Sequence, residues 1–551
     1  MTARRPSLAT QVSRAVWWNT LFAPLRLLAE VLATLVKLNQ LSQAAFGLLA
    51  LVRGASNLFG TALDLGIARA LPKYIPETER AGGTRAARRL FLLVATLQLA
   101  ILLVIALGLA LSHRRIERYL QGLLSGEVAV EAVARAELSQ FVAEFHWLII
   151  AAIVILLGLG ALYDLLMAVL SSFFRQKAWN SIALAAGLLP QVLVVIAILA
   201  LPDRWDILGV LVAMVLAPAI AVALAGWQVW RLQAGLEMEP GLGLLADLRD
   251  GLRDLRQALP PGFVRYAAVS YLMTATDFIA SFEFINFFNS DIRDVSLLAA
   301  GALLVRMALS YLYTPMVGVQ VPLFARVRQG EGGTTNGAYQ SLVRLQLLLM
   351  VPGGVGLVLL AGPGLLVISP QYLDAAPIVW VLTPCLFSES MLTTAHNALM
   401  VHERLGTVIA ARLMALLTVV ALALWLPAQF GLIGMALTFG LARVAAGLWA
   451  TLAGIGLLGL RWPWRFTLRV SAATAVMGLA VAGMRGIIGV PAGEIDLVAR
   501  LGLALQLLAL AAVGAVIFLL ALRLLGGLDP ADRAQVLKLR LPFQWVIQRL
   551  I

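Results

Sequence analysis

Asn19, Arg26, Glu30 and Lys37 follow one another at intervals of seven, four and seven residues inside the first apolar stretch. At about 100° per residue they fall within roughly 40° of each other on a helix. Charges retained in a segment this apolar face protein or a water-filled cavity rather than lipid. Three other stretches repeat the pattern. Residues 43–66 place Arg53, Asn57, Gly60 and Asp64 on one face, and residues 263–288 do the same with Ser270, Thr274, Asp277 and Ser281. Residues 296–322 line up Arg306, Ser310, Tyr313 and Gln320.

Arg26, Lys37, Arg53 and Arg306 are the cations of these stripes, and together they could line a cavity for a phosphate or other acidic group. The planar guanidinium fork grips phosphate oxygens in pairs, and exclusion of water strengthens the grip. Asn57 and Gln320, on the same stripes, complete the candidate binding set. The plainer alternative is internal pairing. Arg26 and Glu30 lie at i,i+4, Arg53 and Asp64 share a face, Arg306 could meet Asp277, and Lys37 could reach the outer interface through its aliphatic stem.

Asp64, Asp277, Glu283 and Glu389 could each carry a coupling proton or sodium ion, or serve as counter-ions to arginine. Asp64 sits beside Gly66 and reads as a helix-end residue. Glu389 shares a face with Cys385, Thr393 and His396, while Asp164 stands nearly alone in its stretch. His146 and His396 lack a second ligand at metal spacing within their own stretches, so no metal or other cofactor is expected. No GxxxxGK[ST] or GxSxG motif occurs, and no catalytic residue is assigned; the chain does not read as an enzyme.

The elements that must position these residues are set by composition. Of 551 residues, 61% are hydrophobic and 13% charged, with mean hydropathy +0.91. Soluble domains do not reach these values. The fold class is all-α integral membrane, with about fourteen apolar windows of spanning length. They cover 16–38, 43–66, 89–112, 146–170, 182–201, 206–229, 263–288, 296–322, 338–361, 373–398, 404–427, 430–458, 466–486 and 497–525.

An even number of crossings puts both termini on one side, and the basic residues choose the cytoplasm. Arg4, Arg5 and Arg14, then Arg69, Lys73, Arg80, Arg85, Arg88 and Arg89, lie on that side, as do Arg249, Arg253 and Arg256. The main dissent is His113-Arg114-Arg115 with Arg118, which this topology leaves outside. The net charge of +13 is concentrated beside the membrane, where anionic lipid headgroups, not nucleic acid, are the simplest partner. Cys385 is the sole cysteine, so neither a disulfide nor a thiolate cluster can form within one chain.

Residues 1–229 are read as an N-terminal lobe of six spans and 263–458 as a C-terminal lobe of six. The amphipathic LLADLRDGLRDLRQAL within 230–262 reads as a cytoplasmic connector helix. Two further spans follow in 459–528. The tail 529–551 opens with Asp529-Pro530 and reads as a basic interfacial helix. Repeated lobes with polar faces converging on a central cavity are an architecture of alternating-access transport.

The stretch FGLLALVRGASNLFGTALDLGIARALPKYIPE, residues 46–77, resembles the second helix and following loop of bacterial polysaccharide flippases (Wzx-like polysaccharide biosynthesis proteins). These belong to the multidrug, oligosaccharidyl-lipid and polysaccharide (MOP) exporter superfamily. QYLDAAPIVWVLTPCLFSESMLTTAHNALMVHERLG, residues 371–406, resembles that family's tenth helix. TDFIASFEFINFF and VPLFARVRQGEG, in residues 276–332, resemble its seventh and eighth helices, with Asp294-Val295-Ser296 replacing the usual Gly-Tyr pair.

The resemblance implies a multi-pass protein of the bacterial cytoplasmic membrane that carries an undecaprenyl-pyrophosphate-linked oligosaccharide outward for surface polysaccharide biosynthesis. Arg26, Arg53 and Arg306 occupy helices whose arginines line the cavity in related flippases. A polysaccharide polymerase and glycosyltransferases would be its protein partners. Two rivals are a MATE-like multidrug or cation antiporter, whose cavity should be anionic, and a non-transporting membrane subunit of a polysaccharide synthase complex.

Overall fold

The computed structural model describes residues 28–125, 132–172, 176–202, 205–235, 259–313, 316, 320–328, 330, 333–487 and 497–526. Every regular element among them is helical. Twelve of these helices are long and apolar enough to cross a membrane. The chain is therefore an all-helical membrane protein, because only closed backbone hydrogen bonding tolerates hydrocarbon.

In chain order the elements are α1 (28–40), α2 (Gln43–Asp64), α3 (Ile67–Leu111), α4 (His113–Leu124), α5 (Ala132–Ser172), α6 (Gln176–Ala200) and α7 (Asp206–Gly235). Next come α8 (Phe263–Ile279), α9 (Phe282–Ile285), α10 (Ile292–Tyr313), α11 (Gln320–Arg328), α12 (Thr335–Ile368) and α13 (Ala376–Val401). The last are α14 (Leu405–Ala423), α15 (Leu426–Leu458), α16 (Trp464–Ile487) and α17 (Leu497–Leu524). Most of the expected first span, the core of the expected connector helix (236–258) and the expected tail helix lie outside the described residues.

Local chemistry explains several boundaries. Ser42 caps α2 by accepting the N–H of Ala45, and Thr334 caps α12 by accepting that of Gly337. Leu65 and Gly66 both take positive φ, 47° and 73°, turning the chain sharply from α2 into α3. At Gly66 a Cβ would collide with the Ala267 carbonyl oxygen of α8, so only glycine lets these backbones approach.

Helices extend beyond the apolar windows. Residues 67–88, expected as a loop, are helical and interrupted at Gly83, where φ is 74° and ψ −178°. α5 starts at Ala132 and breaks at Phe145, with φ −120° and ψ 16°, one residue before the expected span begins at 146. The expected seventh span is shorter than its apolar window. α8 ends at Ile279, and Ser281 accepts the N–H of Phe284 to start the separate turn α9.

Contacts group the chain into two units, Met1–Ser296 and Leu297–Ile551. In the first, α5 packs with α2, α3, α4 and α7, while α8 lies against α2 and α3. Its main core gathers Leu48, Leu51, Leu63, Leu138, Val142 and Ile149. In the second, α13 and α14 pack on α15, and α12 joins α13 to the α16–α17 pair.

The α13–α15 contact is close because Gly440 and Gly447 face it. A Cβ at Gly440 would sit 2.7 Å from the Cβ of Cys385, and one at Gly447 2.7 Å from that of Leu392. Small residues at heptad spacing let helices approach in lipid, where no hydrophobic drive between them exists.

Candidate functional site

In the first unit, α2 buries Leu48, Leu49, Leu51 and Val52 and leaves Arg53 and Asn57 exposed one turn apart. The Thr61 hydroxyl donates to the Asn57 carbonyl. An exposed guanidinium halfway along a spanning helix requires polar surroundings. On α1, half-buried Lys37 donates from Nζ to Oε1 of Gln191 on α6 at 3.4 Å. The charges of Arg53 and Glu30 both reach it. Lys37 is thus engaged with α6 inside the unit. Arg26 and Asn19 lie outside the described residues.

Asp64 is the last residue of α2, and Asp277 lies in the last turn of α8, both with interaction partners. Glu283 belongs to α9. His146 is stacked on His113 with ring centroids 5.6 Å apart, and His113 stacks on Trp147 at 4.4 Å. Among the described residues no group of three or more His, Cys, Asp or Glu could hold a metal.

The second unit carries a polar column formed by α10, α11, α13 and α15. Asn397 donates from Nδ2 to Oε1 of Gln320 at 2.7 Å, and Gln320 donates from Nε2 to the Tyr313 hydroxyl at 3.0 Å. Two turns back from Asn397 on α13, Glu389 pairs with Arg443 of α15 at 2.7 Å. One turn from Arg443 is Phe439, and the guanidinium carbon of Arg306 lies 6.0 Å from its ring centroid. The glycine-mediated approach of α13 and α15 sets the Glu389–Arg443 distance. Nearby, Thr394 donates to Oε1 of fully buried Gln346, whose amide donates to the Ser390 carbonyl.

Stripe reading brought Arg306, Tyr313 and Gln320 into this column but missed Arg443 and Asn397. Arg443 had a usable signal: it is the only charge between residues 426 and 458. Ionisable residues inside spans are functional candidates by default. Asn397 had none, since one amide near the end of a polar helix is unremarkable in sequence.

The unit also has a basic and aromatic end. Arg328 pairs with Glu403 at 3.1 Å, and the Gln340 amide donates to the Arg461 carbonyl. The Trp462 indole donates to the Thr467 hydroxyl.

No protein-family profile and no curated protein matches the chain. Solved structures do. A structure of the lipid II flippase MurJ in an inward closed conformation matches with TM-score 0.65 at 12% identity, covering 91% of this chain and 98% of that one. An inward-facing multidrug resistance MATE family transporter of the MOP superfamily matches with TM-score 0.53 at 13% identity, covering 79% and 94%. The chain shares the fold of these two structures.

Proposed function

We propose that the protein is a transporter moving a lipid-linked, undecaprenyl-pyrophosphate-bearing oligosaccharide across the bacterial cytoplasmic membrane by alternating access, for surface polysaccharide biosynthesis. The observation that carries the reading is exposed Arg53 with Asn57 on a membrane-spanning helix, backed by Lys37. This face is cationic and suits a pyrophosphate. The likeness to a lipid II flippase over nearly both whole chains supports the same substrate class.

In this reading Arg53 and Arg306, with Arg26, hold acidic groups of the substrate, and Asn57 and Gln320 meet its uncharged hydroxyls. Glu389 serves as charge partner to Arg443. No bond is made or broken. Direction comes from consumption of the product outside or from a proton or sodium gradient, because a ligand shifts states only through differential affinity.

The likeness to a MATE transporter supports antiport of organic cations as the second reading. Reconstituted vesicles containing a fluorescent pyrophosphate-linked oligosaccharide separate the two. Arg53→Ala with Arg306→Ala should slow flipping roughly tenfold or more, the loss expected on removing charge-assisted phosphate contacts. Unchanged flipping by the stably folded double variant, or efflux of cationic dyes with no lipid flipping, would overturn the proposal.

A further inference from the structure

The basic cluster that dissents from the positive-inside pattern is built into α4. Its amphipathic character is strong: Leu120, Leu123 and Leu124 are buried, whereas Arg114, Arg115 and Arg118 are exposed at i, i+1 and i+4. Among the described residues none of these three arginines is in an ion pair with a carboxylate. The Nε of Arg118 donates to the Arg114 carbonyl, which holds its side chain along the exposed face.

This face follows directly on the apolar helix α3. Leu99, Leu103, Leu107 and Leu111 are all more than half exposed and recur every four residues, a stripe suited to hydrocarbon. The stripe ends two residues before α4, and one further step of four from Leu111 is Arg115. The arginines therefore begin where the hydrocarbon ends, at headgroup depth. Trp147, 47% exposed and stacked on His113, marks the same level.

The helix is not free to withdraw. The Tyr119 hydroxyl donates to the Phe287 carbonyl at 3.0 Å, and Gln121 and Ser139 exchange two hydrogen bonds. The helix that carries these three guanidinia is thus held in place, and their complement is a phosphate.

We infer that the exposed face of α4 is a docking surface for anionic phospholipid headgroups of the leaflet at that end of the first unit. This accounts for three arginines where the topology disfavours them, and it is independent of the transported substrate.

The test uses Gly122, one turn from Arg118, where an added side chain meets open space. Gly122→Cys, labelled with a fluorophore, is read in vesicles containing headgroup spin-labelled phosphatidylglycerol or phosphatidylcholine. Buried Cys385 does not compete for label. Quenching should favour phosphatidylglycerol by at least about fivefold, the preference expected of a single arginine near an anionic surface. R114Q/R115Q/R118Q should abolish the preference, and the corresponding triple lysine variant should retain most of it. Should the triple glutamine variant fail to fold, single Arg115→Gln must still reduce the preference. Equal quenching by both lipids, a preference unaffected by removal of the arginines, or displacement of the lipid by millimolar inorganic pyrophosphate would overturn the inference.

Discussion

Glu389 of α13 and Arg443 of α15 form a 2.7 Å ion pair in which neither side chain is more than 26% exposed. The pair joins two helices whose backbones meet through Gly440 and Gly447. Removing one partner deprives the other of its counter-charge in low-dielectric surroundings, which costs more than removing both.

Glu389→Gln and Arg443→Leu should each destabilise the protein by about 1–3 kcal/mol, with the double variant less affected than the sum. Thermal unfolding of the four proteins in detergent measures the coupling. Strict additivity would show that the pair contributes nothing.

Gly66→Ala should prevent normal folding, because it adds a Cβ to a residue with φ 73° against the α8 backbone. Its cost should be about 2 kcal/mol or more. Gly108→Ala, inside α3 with open space around it, should be neutral or stabilising by up to about 1 kcal/mol. Yields of monodisperse protein should separate the two variants.

Arg135 is 4% exposed and grips Asp291 with both terminal nitrogens, at 2.9 and 3.3 Å. Asp291 also accepts the Arg293 N–H at 2.7 Å, at the start of α10. Asp291→Asn keeps an oxygen for that N–H and loses only the charge, whereas Asp291→Ala loses both. The alanine variant should be the less stable by about 1 kcal/mol. Equal melting temperatures would rule out the capping role.

Tyr119→Phe removes the donor to the Phe287 carbonyl and should cost about 1 kcal/mol. Burial raises the Tyr119 pKa above the ordinary phenol value. Its folded-state pKa therefore exceeds the unfolded one. The contact's stabilisation is fully present below about pH 10 and is lost as pH rises through the raised value. Hydrogen exchange at residues 282–288 should be faster in the variant than in the parent at neutral pH, and a melting temperature of the parent followed through the alkaline range should fall towards that of the variant.

Sequence and structure agree where one physical rule dominates. Hydropathy located residues 43–66 almost to the residue, since α2 runs from Gln43 to Asp64. It could not see that helix continues through 67–82, because polar helical turns outside hydrocarbon leave no apolar signature. Period-3.6 stripes brought out Arg53, Arg306 and Gln320. They could not pair Arg443 with Glu389 or Arg135 with Asp291, because such partners are chosen by helix packing across long stretches of chain. The Phe145 break was legible only as the place where the apolar window began.

The attachments of α4 and the N-terminal part of α5 also set an order of assembly. Arg135 lies 156 residues before Asp291, and Tyr119 lies 168 before Phe287. At about 5–20 residues per second, synthesis leaves Arg135 waiting roughly 8–30 s for its partner. During that interval a side chain buried in the finished protein is still hydrated. Biogenesis of this region thus ends only when the turn preceding α10 emerges, so truncations before residue 282 should leave it open to protease while the earlier spans are already inserted.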